Sequence, residues 1–211
     1  MKSHVNGYHH GNLRAALIAA SREIIDEEGI EGFSVRAAAR RAGVSQGAPT
    51  HHFASVTALL TEVALLAFDE LGQFLEAAPH SPDPTEDLHA VARAYVQFAA
   101  AHVGLFRLMF REGLTDRSDP RHSSTSLKAL RRISYAGAAY YGINLSCQMD
   151  SARYPQLIAI WANLHGLAHL AVEGALIYSI DGNEVNSLDH FMSLLPSILH
   201  AIWPARSFQD S

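Results

Sequence analysis

The chain has 211 residues, 48% hydrophobic and 18% charged, with a formal net charge of −5. That length supports one good-sized core or a small head on a larger body, and no apolar run reaches the roughly 18 residues of a membrane-spanning helix. The N-terminus lacks the apolar stretch of a signal peptide, and one cysteine, Cys147, excludes an intrachain disulfide, so a cytoplasmic setting is expected.

Almost every segment reads as helix; none keeps a period-2 pattern between turns, so the predicted class is all-α. Asn12 is the expected cap of a first helix that Gly29 ends. Phe33 and Ser34 then set a hydrophobic staple and an N-cap. Val35, Ala38, Ala39 and Ala42 follow at helical spacing, with Arg36, Arg40 and Arg41 off that face. Gly43 stands where a left-handed residue ends a helix. Val44 anchors the turn, and Ser45 is the expected N-cap of a third helix. Gln46, Gly47, Ala48, Thr50, His51 and His52 give that helix polar tips on a narrow body, which suits entry into a DNA major groove. An ordinary helical hairpin with a solvated face is the plainer reading of a Gly-turn pair alone. The full order, from capped helix through turn and small-residue helix to a long apolar helix, favours DNA.

Ser55 caps a long helix to about Ala78, with Leu59, Leu60, Val63, Ala67, Leu71 and Phe74 expected inward. Pro79 to Pro84 is a linker. Thr85 opens a helix to about Val103, with Leu88, Val91, Ala92, Tyr95 and Ala99 on one face. Gly104 is expected to interrupt, and a shorter helix follows to about Leu114. Residues 115–125 are turn-prone. Helices are predicted from about Ser126 to Leu145, Tyr154 to Tyr178 and Ser187 to Trp203, with a turn at Asp181, Gly182 and Asn183. The last helix carries Phe191, Leu194, Leu195, Ile198, Leu199 and Ile202 as its apolar residues, and Pro196 is expected to kink it.

Charge is uneven along the chain. Residues 1–60 hold six basic and five acidic side chains; residues 61–211 hold ten and sixteen. The bases Lys2, Arg14, Arg36, Arg40 and Arg41 can form one face, but so few cations imply modest non-specific DNA affinity. Trp161, His165 and His169 share a helix face. A His pair four apart can bind zinc, yet no Cys or carboxylate completes a shell, so neither metal nor cofactor is expected. Cys147, beside Leu145 and Met149, reads as a small buried hydrophobe. No phosphate loop or nucleophile elbow points to an enzyme.

The run from Tyr8 to about Leu66 resembles the DNA-binding domain of the TetR family of bacterial transcriptional regulators. The matching stretches are YHHGNLRAALIAASREIIDEEG, GFSVRAAARRAGVSQG, and HHF followed by SVTALL. Trp161, His165 and Gly166, in IWANLHGLAHL, resemble a Trp…His-Gly pattern of one type of TetR-family C-terminal domain. The resemblance implies a helix-turn-helix head over 1–54 and a helical ligand-binding and dimerisation body over 55–211, with helix 55–78 joining them. Arg14, Ser34, Arg36, Arg41, Ser45, Gln46, Gly47, Ala48, Thr50, His51 and His52 would face a palindromic double-stranded DNA operator. A homodimer would form through the last two long helices. A small, largely apolar or aromatic effector would lie among Tyr95, Phe98, Phe106, Met109, Phe110, Tyr141, Trp161 and His165, though core packing is the plainer role for any one of these. Two positions depart from the family pattern. Pro49-Thr50 stands where Leu-Tyr is common, and Val56 where a phosphate-contacting Lys is common. The leading expectation is a ligand-released repressor. The alternative is a ligand- or partner-binding helical protein with a degenerate head.

Overall fold

The computed structural model describes residues 10–145, 154–174 and 188–206. Cys147, Tyr178, Ser187 and the predicted turn at Asp181–Asn183 lie outside the described residues. Those described form helices and no strand, as the sequence predicts. The chain divides into two compact units.

The first unit holds the residues up to Ala67 together with Val103–Ser123. Its opening helix, α1 (His10–Gly32), includes Gly11 and Asn12, so Asn12 is not a cap. Packing of Leu13 and Leu17 outweighs the weak propensity of those two residues. Gly29 breaks the helical geometry with φ 74° and ψ 178°, and one further turn follows. Helices α2 (Val35–Arg41) and α3 (Ala48–His52) come next. The head core joins Leu17, Ala39, Phe53 and Leu59, with Leu13, Ile18, Phe33, Ala42 and Val44 packed around it. Helix α4 (Val56–Glu76) begins here, with the Ser55 hydroxyl accepting from Ala58 N at 3.0 Å.

A later segment completes this unit. Helix α6 (Val103–Phe110) packs against α1. The predicted break falls at His102 rather than at Gly104. Gly104 lies inside α6, where a Cβ would overlap the carbonyl oxygen of Ile25 and stand 2.8 Å from its carbonyl carbon. Glycine is needed there for close approach of two backbones.

The second unit holds Phe68–His102 and the chain from Ser124 onward. Helix α5 (Pro84–Ala101) is central. Asp83 caps it, its carboxylate accepting from Thr85 N at 2.7 Å and Glu86 N at 3.2 Å, with Pro84 in the first turn. The predicted apolar face is buried: Leu88, Val91, Ala92, Tyr95 and Ala99. In α4, Leu71 is buried but Phe74 is 41% exposed, contrary to expectation. Phe74 meets Phe98 only edge-on, at 5.9 Å between ring centres.

Two helices replace the single one predicted over 126–145. Helix α7 (Pro120–Ala129) starts early because Asp119 accepts from Arg121 N at 2.9 Å and proline suits a first turn. Helix α8 (Arg131–Tyr141) follows after Leu130, and Gly142, at φ 66°, closes it. Helices α8, α9 (Tyr154–Glu173) and α10 (Leu188–Ile202) all pack on α5. Phe191, Leu195 and Leu199 are buried, and α10 continues through Pro196.

Arg132 of α8 grips Asp87 of α5 with two hydrogen bonds of 2.8 and 2.6 Å, its side chain only 6% exposed. Burial opposes ionisation of Asp87, yet the guanidinium and Ser81 N hold its carboxyl below the usual range. The chain beyond α10 is tied back to α5 and α8. His89 Nε2 meets Trp203 O at 2.9 Å, and Tyr140 donates to Pro204 O at 3.1 Å.

Candidate nucleic-acid interface

The helix-turn-helix is built from local hydrogen bonds over a small core. Ser34 Oγ accepts from Ala37 N at 3.1 Å and so starts α2, as its sequence predicts. Ala38 and Ala39 face inward and are fully buried, which leaves Arg36, Arg40 and Arg41 outside. Gly43 takes φ 70°; its N–H meets Arg40 O, and Val44 N meets Ala39 O at 3.0 Å. This is the left-handed stop that favours glycine.

The third helix starts later than expected. Ala48 N donates to Ser45 O at 3.0 Å, a turn that carries the chain past Ser45, and Gly47 is the N-cap without a side-chain bond. Pro49 sets this start: it is favoured in a first helical turn and cannot donate to a turn behind it. Ser45 is therefore not a cap. Ser45, Gln46, Gly47, Thr50 and His51 are exposed, Ala48 and His52 partly so, and Pro49 is buried. Thr50 Oγ1 donates to Gly47 O at 2.8 Å, so its one hydroxyl hydrogen is committed to its own helix.

The cations differ in availability. Arg36 and Arg40 are exposed and carry no ion pair among the described residues. Arg41 is held by Glu27 at 2.7 Å and Glu28 at 3.2 Å, both on α1. Hydrogen bonding to Glu27 pushes its guanidinium above the ordinary value. Arg14 lies over the Phe53 ring at 5.2 Å and pairs with Glu62 at 2.8 Å. These carboxylate partners are invisible to periodicity, because tertiary packing alone brings them to their cations. Beside α3, a groove of about 210 Å³ is lined by Val35, Pro49, Thr50, Phe53, Val56 and Leu59. Val56 is 48% exposed, so this face presents an apolar side chain where a cation would be useful.

The residues expected around an effector do not all meet. Tyr95, Trp161 and His165 meet in the second unit. The Tyr95 hydroxyl lies 3.0 Å from His165 Nδ1, Trp161 stacks on His165, and Tyr95 meets Trp161 edge-on. His165 Nε2 in turn lies 3.1 Å from His169 Nε2. Burial, then the neighbouring His169, lowers the His165 pKa to about 4, so the ring is neutral at pH 7. Burial likewise pushes the Tyr95 hydroxyl well above its ordinary pKa, keeping it a donor. Phe98 is buried beside His102 in the same unit. Tyr141 sits instead with Tyr140 and beneath Arg206. Phe106, Met109 and Phe110 belong to the first unit, where Phe106 and Met109 are core. Among the described residues, no three metal-ligating side chains converge, and no helix is long and apolar enough to cross a membrane.

Residues 17–63 match the family model "Bacterial regulatory proteins, tetR family". Residues 88–195, half of the chain, match "Tetracyclin repressor-like, C-terminal domain". The chain belongs to the TetR family. Both resemblances drawn from the sequence are borne out, and Trp161, His165 and Gly166 lie inside the second match. No significant match is found among curated proteins.

Solved structures agree on the TetR-family fold. A protein of unknown function from Rhodococcus sp. RHA1 is 29% identical with a TM-score of 0.66, over 95% of this chain and 100% of that one. A candidate TetR-family transcription regulator from Shewanella sp. PV-4 is 22% identical with a TM-score of 0.61, over 93% and 98%. RolR, solved in complex with resorcinol, is 16% identical with a TM-score of 0.59, over 93% and 89%.

Proposed function

We propose that this TetR-family chain is a ligand-responsive, DNA-binding transcriptional regulator that acts as a cytoplasmic homodimer and represses from a palindromic operator. The carrying observation is the α2–turn–α3 element, with Arg36 and Arg40 exposed and without an ion pair among the described residues, and with Ser45, Gln46, Gly47, Thr50 and His51 exposed. Arg36, Arg40 and Ser34 would position the head on phosphates, and Gln46, Thr50, His51 and His52 would reach base edges. A two-fold dimer would set two recognition helices roughly 34–36 Å apart, one DNA turn. Ile158 and Leu170 on α9 and Leu188 and Leu194 on α10 are exposed apolar side chains that a dimer would cover.

The effector would be small and largely apolar or aromatic, anchored by Tyr95, Trp161 and His165. The resorcinol bound by RolR is a ligand of that class. Release from DNA would follow from the effector's unequal affinity for the DNA-competent and DNA-incompetent states. Selection from a random DNA pool at low salt, without effector, tests the reading. Enrichment of one palindrome by a dimer supports it; no enrichment refutes it.

A second reading, a degenerate head on a ligand- or partner-binding body, draws on the committed Thr50 hydroxyl and the exposed Val56. Under it, DNA binding appears only in the Thr50→Tyr, Val56→Lys double variant.

A further inference from the structure

We propose that Arg121 tunes the DNA affinity of this chain by sharing the Glu62 carboxylate with Arg14. This rests on the reading of the head as a DNA binder and adds a positioning pair that no motif marks. Both guanidinium Nη2 atoms lie 2.8 Å from one oxygen, Glu62 Oε1. All three residues belong to the first compact unit. Glu62 is 15% exposed, whereas Arg14 and Arg121 are 46% and 56% exposed. One carboxylate is therefore divided between two cations at the edge of solvent.

The loop that carries Arg121 is held in place. Asp119 Oδ1 accepts from Arg121 Nε at 3.1 Å, and Asp119 Oδ2 accepts from Nη2 at 2.6 Å. Asp116 N donates to Thr61 Oγ1 at 2.9 Å, one residue before Glu62 on α4. Burial disfavours the charged form of Glu62, but bonds from Arg121 and Arg14 outweigh it and keep the group anionic. Arg14 is also fixed over Phe53, the residue that follows α3, so its place relative to the recognition helix is set.

With Arg121 in place, Glu62 neutralises Arg14 only in part, and the Arg14 guanidinium keeps charge to offer a phosphate. When Arg121 leaves, Glu62 claims Arg14 whole. Any displacement of the loop 116–121 then lowers DNA affinity without moving the recognition helix itself. An exposed ion pair supports an effect of up to about fivefold, and a regained phosphate contact steepens the salt dependence by about 0.9 in log–log slope.

The test is a double-mutant cycle on the full chain: wild type, Arg121→Ala, Glu62→Gln and the double variant. Operator affinity is read against salt, and thermal unfolding checks the fold. Expected are a loss of up to about fivefold in Arg121→Ala, a gain and a steeper salt slope in Glu62→Gln, and no further effect of Arg121→Ala on the Glu62→Gln background. Equal losses on both backgrounds overturn the proposal, because Asp119 freed by the Arg121 deletion then acts by itself. An unchanged slope in Glu62→Gln overturns it as well. A fold lost in Arg121→Ala is met by Arg121→Lys, which keeps the charge and must retain wild-type affinity. Absence of operator binding in the wild type overturns the repressor reading instead.

Discussion

Replacing Gly104 with Ala puts one methyl between two backbones. The new carbon would overlap the Ile25 carbonyl oxygen, and would stand 2.8 Å from the Ile25 carbonyl carbon and 3.3 Å from Gly29 Cα. Carbon atoms rest at about 3.5–4.0 Å, so α1 and α6 must part by about 1 Å or more. No rotamer change relieves this, because the obstructing atoms are main chain. Overpacking of this kind costs about 1–3 kcal/mol or more, and the better helix propensity of Ala returns about 1 kcal/mol. Main-chain obstruction puts the cost at the upper end of that range, so a net loss of about 2 kcal/mol is expected. Urea titration followed by circular dichroism reads it as a lower midpoint. Gly137→Ala is the control. Its added methyl meets the end of the Ile160 side chain, which can turn aside, so a loss below about 1 kcal/mol is expected. If Gly104→Ala unfolds at or above the wild-type midpoint, the seating of α6 on α1 is wrong.

Arg36→Ala and Arg40→Ala should each weaken operator binding alike across sequences and reduce the log–log salt slope by about 0.9, whereas Arg41→Ala should change it less, since Glu27 and Glu28 already compensate that charge; filter binding over a salt series distinguishes the three. Asp87→Asn should cost about 2–3 kcal/mol in chemical denaturation by leaving Arg132 buried without its counter-charge. The Asp87 carboxyl is depressed in the folded state. Its contribution is therefore complete above the unfolded pKa of about 3.9 and is lost as pH falls through the lower folded value; Asp87→Asn should flatten that acid limb. His165 titrates near 4 when folded and, unfolded, at about 6.5. The unfolded chain thus binds the extra proton first, and stability falls as pH drops from about 6.5 towards 4. A proton NMR titration of the His165 ring with its midpoint near 6.5 would contradict this.

Much of the head was legible in its sequence because its signals are local. Ser34 caps through a residue three positions on, and Gly43 stops α2 by its own backbone freedom. The buried face of α5 follows from spacing alone, as Leu88 to Ala99 show. Local rules failed where neighbours compete. Pro49 overrode Ser45 as the start of α3, and Leu13 and Leu17 carried α1 through Asn12. Gly104 read as an interruption because close backbone approach and helix ending both select glycine; only a partner at Ile25 separates the two. In the candidate site, the cations were visible but their availability was not. Glu27, Glu28 and Glu62 reach Arg41 and Arg14 from other elements, and no spacing rule encodes that. Tyr95 and His165 were both expected near an effector, yet no local rule encodes the hydrogen bond that joins them across 70 positions.

The seating of α6 on α1 also bears on how the chain is made. Ribosomal synthesis proceeds from the N-terminus at about 5–20 residues per second. Met1–Ala67 emerges seconds before Val103–Phe110 does, so the backbone of Ile25 waits for its cover while the start of the second unit is already leaving the ribosome. A chain cut after Ala67 would keep every residue of the reading helix and still lack part of its own scaffold.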